Sequence, residues 1–196
     1  MKRLVLYIYT MFVALTAMAC PSNDEVKLVQ DWDKTFPKSK KVNHKKVTFK
    51  TQYGFTLAAD LYIPKNAEGK LPAIAVSGPF GAVKEQCSGL YAQTMAERGF
   101  ITIAFDPSFT GESSGEPRRT ASPDINTEDF LAAVDYLSMR DDVDAGRIGI
   151  IGICGWGGIA LNAAAQDPRI KATAAITMYD KRKHIPVTSE KVPSDI

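Results

Sequence analysis

Four runs, Pro72–Ser77, Phe100–Phe105, Arg147–Ile151 and Ile170–Met178, constrain this chain more than any other feature. Runs this apolar, without polar alternation, suit strands covered on both faces. Helical patterns lie between them. Glu85 to Arg98 reads as a helix closed by Gly99. Thr127 opens a second, with Phe130, Leu131, Val134 and Leu137 on one face. A third spans Gly155 to Gln166 and is ended by Asp167-Pro168. Strands that alternate with helices need crossovers, so the fold class is α/β: a mainly parallel sheet with right-handed connections and helices on both faces. Ahead of these runs, Lys46–Lys50 and Thr56–Ile63 alternate in polarity across the turn signal Tyr53-Gly54 and predict an antiparallel hairpin.

Composition sets the outer bounds. With 45% hydrophobic and 23% charged residues the chain is neither disordered nor fibrous. Three cysteines are too few for a disulfide scaffold, and none shows zinc-type spacing. Lys2 and Arg3, the apolar run Leu4–Met18 and the small-residue exit Ala17-Met18-Ala19 describe a secretory signal over residues 1–19. The competing readings are a membrane anchor or a buried N-terminal helix, but the run is short of the about 20 residues a span needs. Cys20 directly follows the expected cut and resembles a bacterial lipidation site. Both a membrane-anchored lipoprotein and a soluble exported, periplasmic form fit. Loss of Lys2 and Arg3 takes the formal charge from +2 to zero, which removes the case for a nucleic-acid partner.

Residues 20–43 read as an N-terminal linker segment. Seven lysines fall between Lys34 and Lys50. No repeat accompanies them, so a solvated linker and edge strand are expected rather than an anionic-surface contact.

The chemistry concentrates in Gly152-Ile153-Cys154-Gly155-Trp156-Gly157-Gly158, between an apolar strand and a helix. Such a turn presents a nucleophile at a strained tip, needs small neighbours, and aims a helix N-terminus at developing negative charge. The competing reading is a buried cysteine in a nucleotide-binding crossover. The glycines, however, do not form G-x-G-x-x-G after the first strand of the unit. Cys154 is therefore the candidate nucleophile, and the N–H of Gly155 a candidate oxyanion donor.

From about His44 to Asp180 the chain resembles the N-terminal part of an α/β hydrolase, similar to dienelactone-hydrolase-like and acetylxylan-esterase-like bacterial enzymes. Ser77-Gly78-Pro79-Phe80-Gly81 resembles the family's oxyanion loop, Asp106–Gly115 its loop after the next strand, and Gly152–Gly158 its nucleophile elbow. The resemblance implies an enzyme that cleaves carboxylic esters or lactones, with no cofactor and no metal. The second oxyanion donor falls to Phe80, because Pro79 has no N–H. Trp156 departs from the family pattern, standing where the last Gly of Gly-x-nucleophile-x-Gly is expected. Relief of the crowding is expected from Gly155 and Gly157. Cys87 lies near the start of the next helix, as a plain buried cysteine or an oxidisable partner of Cys154. Glu85 and Gln86 read as partners of that helix's dipole.

A cysteine hydrolase also needs a base and an orienting acid, placed in this family after later strands. His184 is the one histidine after Cys154 and is the candidate base; Asp180 is the candidate acid. The other histidine, His44, is expected ahead of the first strand as a surface or edge residue. Residues 181–196 form a polar tail. The hydrolase domain, residues 44–180, is thus expected to be incomplete, lacking the last strands and leaving an open sheet edge that invites self-association. The alternative function is a catalytically inactive remnant or binding lipoprotein that keeps the scaffold.

Overall fold

The computed structural model describes residues 26–28, 31–66 and 68–178. The expected signal segment, Cys20, Asp180 and His184 lie outside the described residues. Six strands form one sheet: β1 (Val42–Lys50), β2 (Thr56–Pro64), β3 (Leu71–Ser77), β4 (Ile101–Phe105), β5 (Val143–Ile153) and β6 (Ile170–Ile176). Their order is β1-β2-β4-β3-β5-β6. The hairpin closes at Gly54, whose φ of 86° suits a residue without Cβ, and pairs Lys50 with Thr56. β2 runs antiparallel to β4; β3, β4, β5 and β6 are mutually parallel.

Helices α1 (Cys87–Ala96), α2 (Pro123–Ser138) and α3 (Gly155–Gln166) cover the two faces. Side chains alternate across each strand and so divide the core. Ala73, Ala75, Ile101, Ile103, Phe105, Ile148 and Ile150 pack with Phe130 and Leu137 of α2 and Ile159 and Ala160 of α3. Their neighbours Ile74, Val76, Ala104, Ile151 and Ile153 face Ala92 and Ala96 of α1. Full burial of each Val, Ile or Leu side chain contributes about 1.5–3 kcal/mol, so the four apolar runs supply the drive for this arrangement.

α2 starts four residues before the expected Thr127. Ser122 is its N-cap and accepts from the N–H of Ile125, and Pro123 occupies the first turn. β1 starts earlier than expected and takes in His44. The segment read as a solvated linker is also different: residues 32–39 pack on the domain. Phe36 is buried edge-on to Trp32, the N–H of Thr35 donates to the carbonyl of Glu85, and Gln93 of α1 bonds both Ser39 and Pro37. Apolar burial at two aromatic rings fixes this stretch without any regular repeat. Among the described residues β6 is a sheet edge, paired with β5 alone, and no helix is long and apolar enough to cross a membrane.

Because β3, β4 and β5 are parallel, the loops leaving them emerge at one end of the sheet. β4 lies on one side of β3 and β5 on the other, so the chain reverses direction across the sheet there. Ligands of open α/β sheets bind outside the carboxyl ends of strands at such a reversal.

Candidate active site

Cys154 stands between β5 and α3 with φ 58° and ψ −125°, a conformation that L residues hold only when the surroundings enforce it. Its N–H donates to the carbonyl of Ile176 at 2.8 Å, and its own carbonyl accepts from Gly157 at 3.0 Å. Both Cys154 and Cys87 are free thiols, partly buried against the same apolar cluster. Burial pushes the Cys87 thiol up from its ordinary value. Gly155 is the first residue of α3, where a helix leaves N–H groups without internal acceptors.

The Ser77–Gly81 loop, expected from the resemblance to be the oxyanion loop, lies directly over this turn. A Cβ on Gly78 would stand 2.4 Å from the carbonyl oxygen of Ile153 and 2.5 Å from Cδ1 of Trp156. A Cβ on Gly152 would stand 2.3 Å from the carbonyl oxygen of Trp156 and 2.7 Å from Cβ of Ala160. These two glycines make room for Trp156. Gly157 also admits a second neighbour: Met178, whose Cβ would lie 2.9 Å from a Cβ added there. The Trp156 ring is buried and meets the half-exposed ring of Phe80 at 6.2 Å between centroids.

The loop after β4 is held by buried carboxylates. Asp106 accepts from the backbone N–H of Lys84 at 2.8 Å and of Glu112 at 2.9 Å, so one side chain ties the segment after the oxyanion loop to the loop after β4. The Lys84 ammonium sits 2.8 Å from Asp106, 2.6 Å from Glu112 and 2.6 Å from Glu85. These three carboxylates converge as a metal site would require, and the ammonium occupies the middle. Burial pulls the Lys84 pKa down, but the Asp106 charge and hydrogen bonds outweigh it, and the group is held well above its usual value. Burial pushes Asp106 up. Asp129 of α2 accepts from the N–H and hydroxyl of Ser108 and from Asn126. Burial raises its pKa to about 6 in spite of those bonds.

Lys46 extends the cluster to Asp33, Glu85 and Glu112, and Lys34 to Asp60. Burial opposes ionisation of Asp33, but hydrogen bonds and charge from Lys34 and Lys46 hold its pKa at about 2. The solvated reading of these two lysines is therefore corrected, as is the role expected for Glu85, which faces the lysines. Gln86 is the N-cap residue of α1 but makes no side-chain capping bond there.

His44 is a β1 residue with its ring largely covered, against Asp60 at 2.8 Å and between Trp32 and Tyr62. Four strand spacings, on the order of 19 Å, separate β1 from β5. That distance excludes His44 as a base for Cys154.

A family model described as X-Pro dipeptidyl-peptidase (S15 family) matches residues 54–189. The chain belongs to that family. As a member it carries the α/β-hydrolase fold and is related to hydrolases. The uncharacterized protein PA2218 of Pseudomonas aeruginosa is 68% identical over 81% of this chain. The crystal structure of that protein superposes with a TM-score of 0.79, over 81% of this chain and 50% of the other. A thiohydrolase of Aspergillus aculeatus, aneE, is 32% identical over 68% of the chain. Acetyl xylan esterase 1 of Thermoanaerobacterium (19% identity, TM-score 0.62, covering 79% of this chain and 53% of the other) shares the fold. So does the "Putative Dienelactone Hydrolase" of Klebsiella pneumoniae (23%, TM-score 0.59, 78% and 63%). The chain spans less than half the length of the curated relatives it matches: 43% of the Pseudomonas protein and 41% of the thiohydrolase.

Proposed function

We propose that this family member uses Cys154 as the nucleophile of an acyl-transfer hydrolase that acts on carboxylic esters or lactones. The observation that carries the reading is the backbone of Cys154, at φ 58° and ψ −125° on a turn whose clearances at Gly78 and Gly152 leave no space for a Cβ. Strain of this kind costs of order 1–3 kcal/mol and persists where the surrounding structure enforces it. The name of the fungal thiohydrolase relative agrees with acyl chemistry.

In the proposed reaction the Cys154 sulfur bonds to the acyl carbon after its proton passes to a base. The N–H groups of Gly155 and Phe80 receive the oxyanion, and the carbon–oxygen bond to the alcohol breaks as the base returns the proton. Water then cleaves the thioester and frees the acid. His184 is the proposed base and Asp180 the proposed acid.

With p-nitrophenyl acetate the wild-type chain should release a burst of about one nitrophenolate per chain, and Cys154→Ala should lose it. An equal burst from the variant would refute the assignment. The same reading makes the protein exported, anchored through Cys20 or released. N-terminal sequencing of envelope material should then find no residues before Cys20, whereas a cytoplasmic chain retaining residues 1–19 would contradict it.

A further inference from the structure

A cleft of about 640 Å³ opens between the oxyanion loop and the loop after β4. Phe80, Val83, Phe109 and Trp156 give it apolar walls, and Trp156 is two residues beyond Cys154. The lining also contains Arg118 and Arg119, and among the described residues no carboxylate. The two arginines are used differently. Arg118 spends its guanidinium on the carbonyls of Gly111, Ser113 and Gly115 and fixes the loop. Arg119 holds φ 61°, in the left-handed region that L side chains avoid, and its N–H donates to the carbonyl of Phe109 at 2.8 Å. Among the described residues its guanidinium makes no ion pair, whereas Arg140, Arg147 and Arg169 each pair with an aspartate.

A strained backbone that carries an exposed cation into a cleft with apolar walls at Phe80, Val83, Phe109 and Trp156 and hydroxyls at Thr110 and Thr120 is an arrangement for a ligand. An apolar wall suits an acyl chain, and a planar fork of donors suits a carboxylate. The Arg118 fork is taken up by neutral carbonyls, so the lining stays cationic while one fork, that of Arg119, is open to a carboxylate. Resting on Cys154 as nucleophile, we propose that the cleft selects acyl groups ending in a carboxylate, with Arg119 as the specificity-determining residue.

The test does not depend on turnover. Cys154 is alkylated at low ionic strength with 6-maleimidohexanoate or with neutral N-hexylmaleimide, and the rate is followed on the Cys154 peptide by mass spectrometry. A charge-assisted hydrogen bond corresponds to about 10-fold or more in rate. The wild-type chain should therefore prefer the carboxylate reagent by about that factor, Arg119→Gln should abolish the preference, and Arg119→Lys should keep part of it. Labelling by N-hexylmaleimide should be the same in all three. Equal rates for the two reagents in the wild type, or a preference that survives Arg119→Gln, would overturn the carboxylate site while leaving the nucleophile standing. Failure of both reagents to reach Cys154 in the folded chain would instead sink the nucleophile and this inference with it.

Discussion

Gly152→Ala will lower stability by about 3 kcal/mol and remove acylation of Cys154. The added methyl would meet the carbonyl oxygen of Trp156 at 2.3 Å and the Cβ of Ala160 at 2.7 Å, so backbone rather than a flexible side-chain end must move. Overpacking of this kind costs about 1–3 kcal/mol, and a backbone clash stands at the top of that range. For a chain of this size the loss corresponds to a fall in Tm of about 6–12 °C. The movement opens the strand-to-helix turn, and with it the conformation that exposes the thiol. Gly146→Ala is the control. Its Cβ would meet only the carboxylate end of Asp144, at 3.2 Å, and it should stay within about 0.5 kcal/mol of wild type. Thermal denaturation and p-nitrophenyl acetate acylation read both effects. A Gly152→Ala protein indistinguishable from the Gly146→Ala control would remove the packing argument for the elbow.

Lys84→Met should be at least as damaging, by about 3–5 kcal/mol at neutral pH, because it leaves buried carboxylates without their central cation. Asp106 is fully buried, and Glu85 and Glu112 are both within 2.6 Å of the ammonium. The pH dependence separates charge from packing. Burial already holds the Asp106 carboxyl above its usual value, and removal of Lys84 pushes it higher. The folded variant then binds more protons than the unfolded chain at pH values above the ordinary carboxylate range, so its stability falls as pH rises. The deficit against wild type should be greatest at neutral pH and shrink as the solution is acidified toward pH 4. A deficit that is constant over this interval would assign the loss to packing alone.

Local pattern made the carboxyl end of the parallel strands legible. The apolar runs at Pro72–Ser77, Phe100–Phe105 and Arg147–Ile151 became β3, β4 and β5, and Gly152-Ile153-Cys154 leads from β5 into α3. Each of these signals is contained within a few residues. What stayed hidden depends on contacts between distant segments. Trp156 fits because Gly78, on another strand's loop, lacks a Cβ, and no rule of spacing links the two positions. Lys34 and Lys46 look solvated in sequence because a buried lysine differs from an exposed one only through its partners, here Asp60 of β2 and Glu112 of the loop after β4. Trp32 and Phe36 pack without periodicity. The start of α2 carried a readable signal in Ser122-Pro123, a cap followed by the residue best suited to a first helical turn. Asp106 also carried one, as the acidic residue closing an apolar strand, although its use of both oxygens on two loops is visible only in three dimensions.

The central claim, that Cys154 is the acyl-accepting nucleophile, is tested most directly by mapping the covalent intermediate. The folded chain is mixed with p-nitrophenyl acetate, quenched in acid and digested, and the acetylated peptides are identified by mass spectrometry. The prediction is a single acetyl group on the Cys154 peptide, formed in step with nitrophenolate release and absent from Cys87. Acetyl groups confined to lysines or to Cys87, with the Cys154 peptide unmodified, would contradict it.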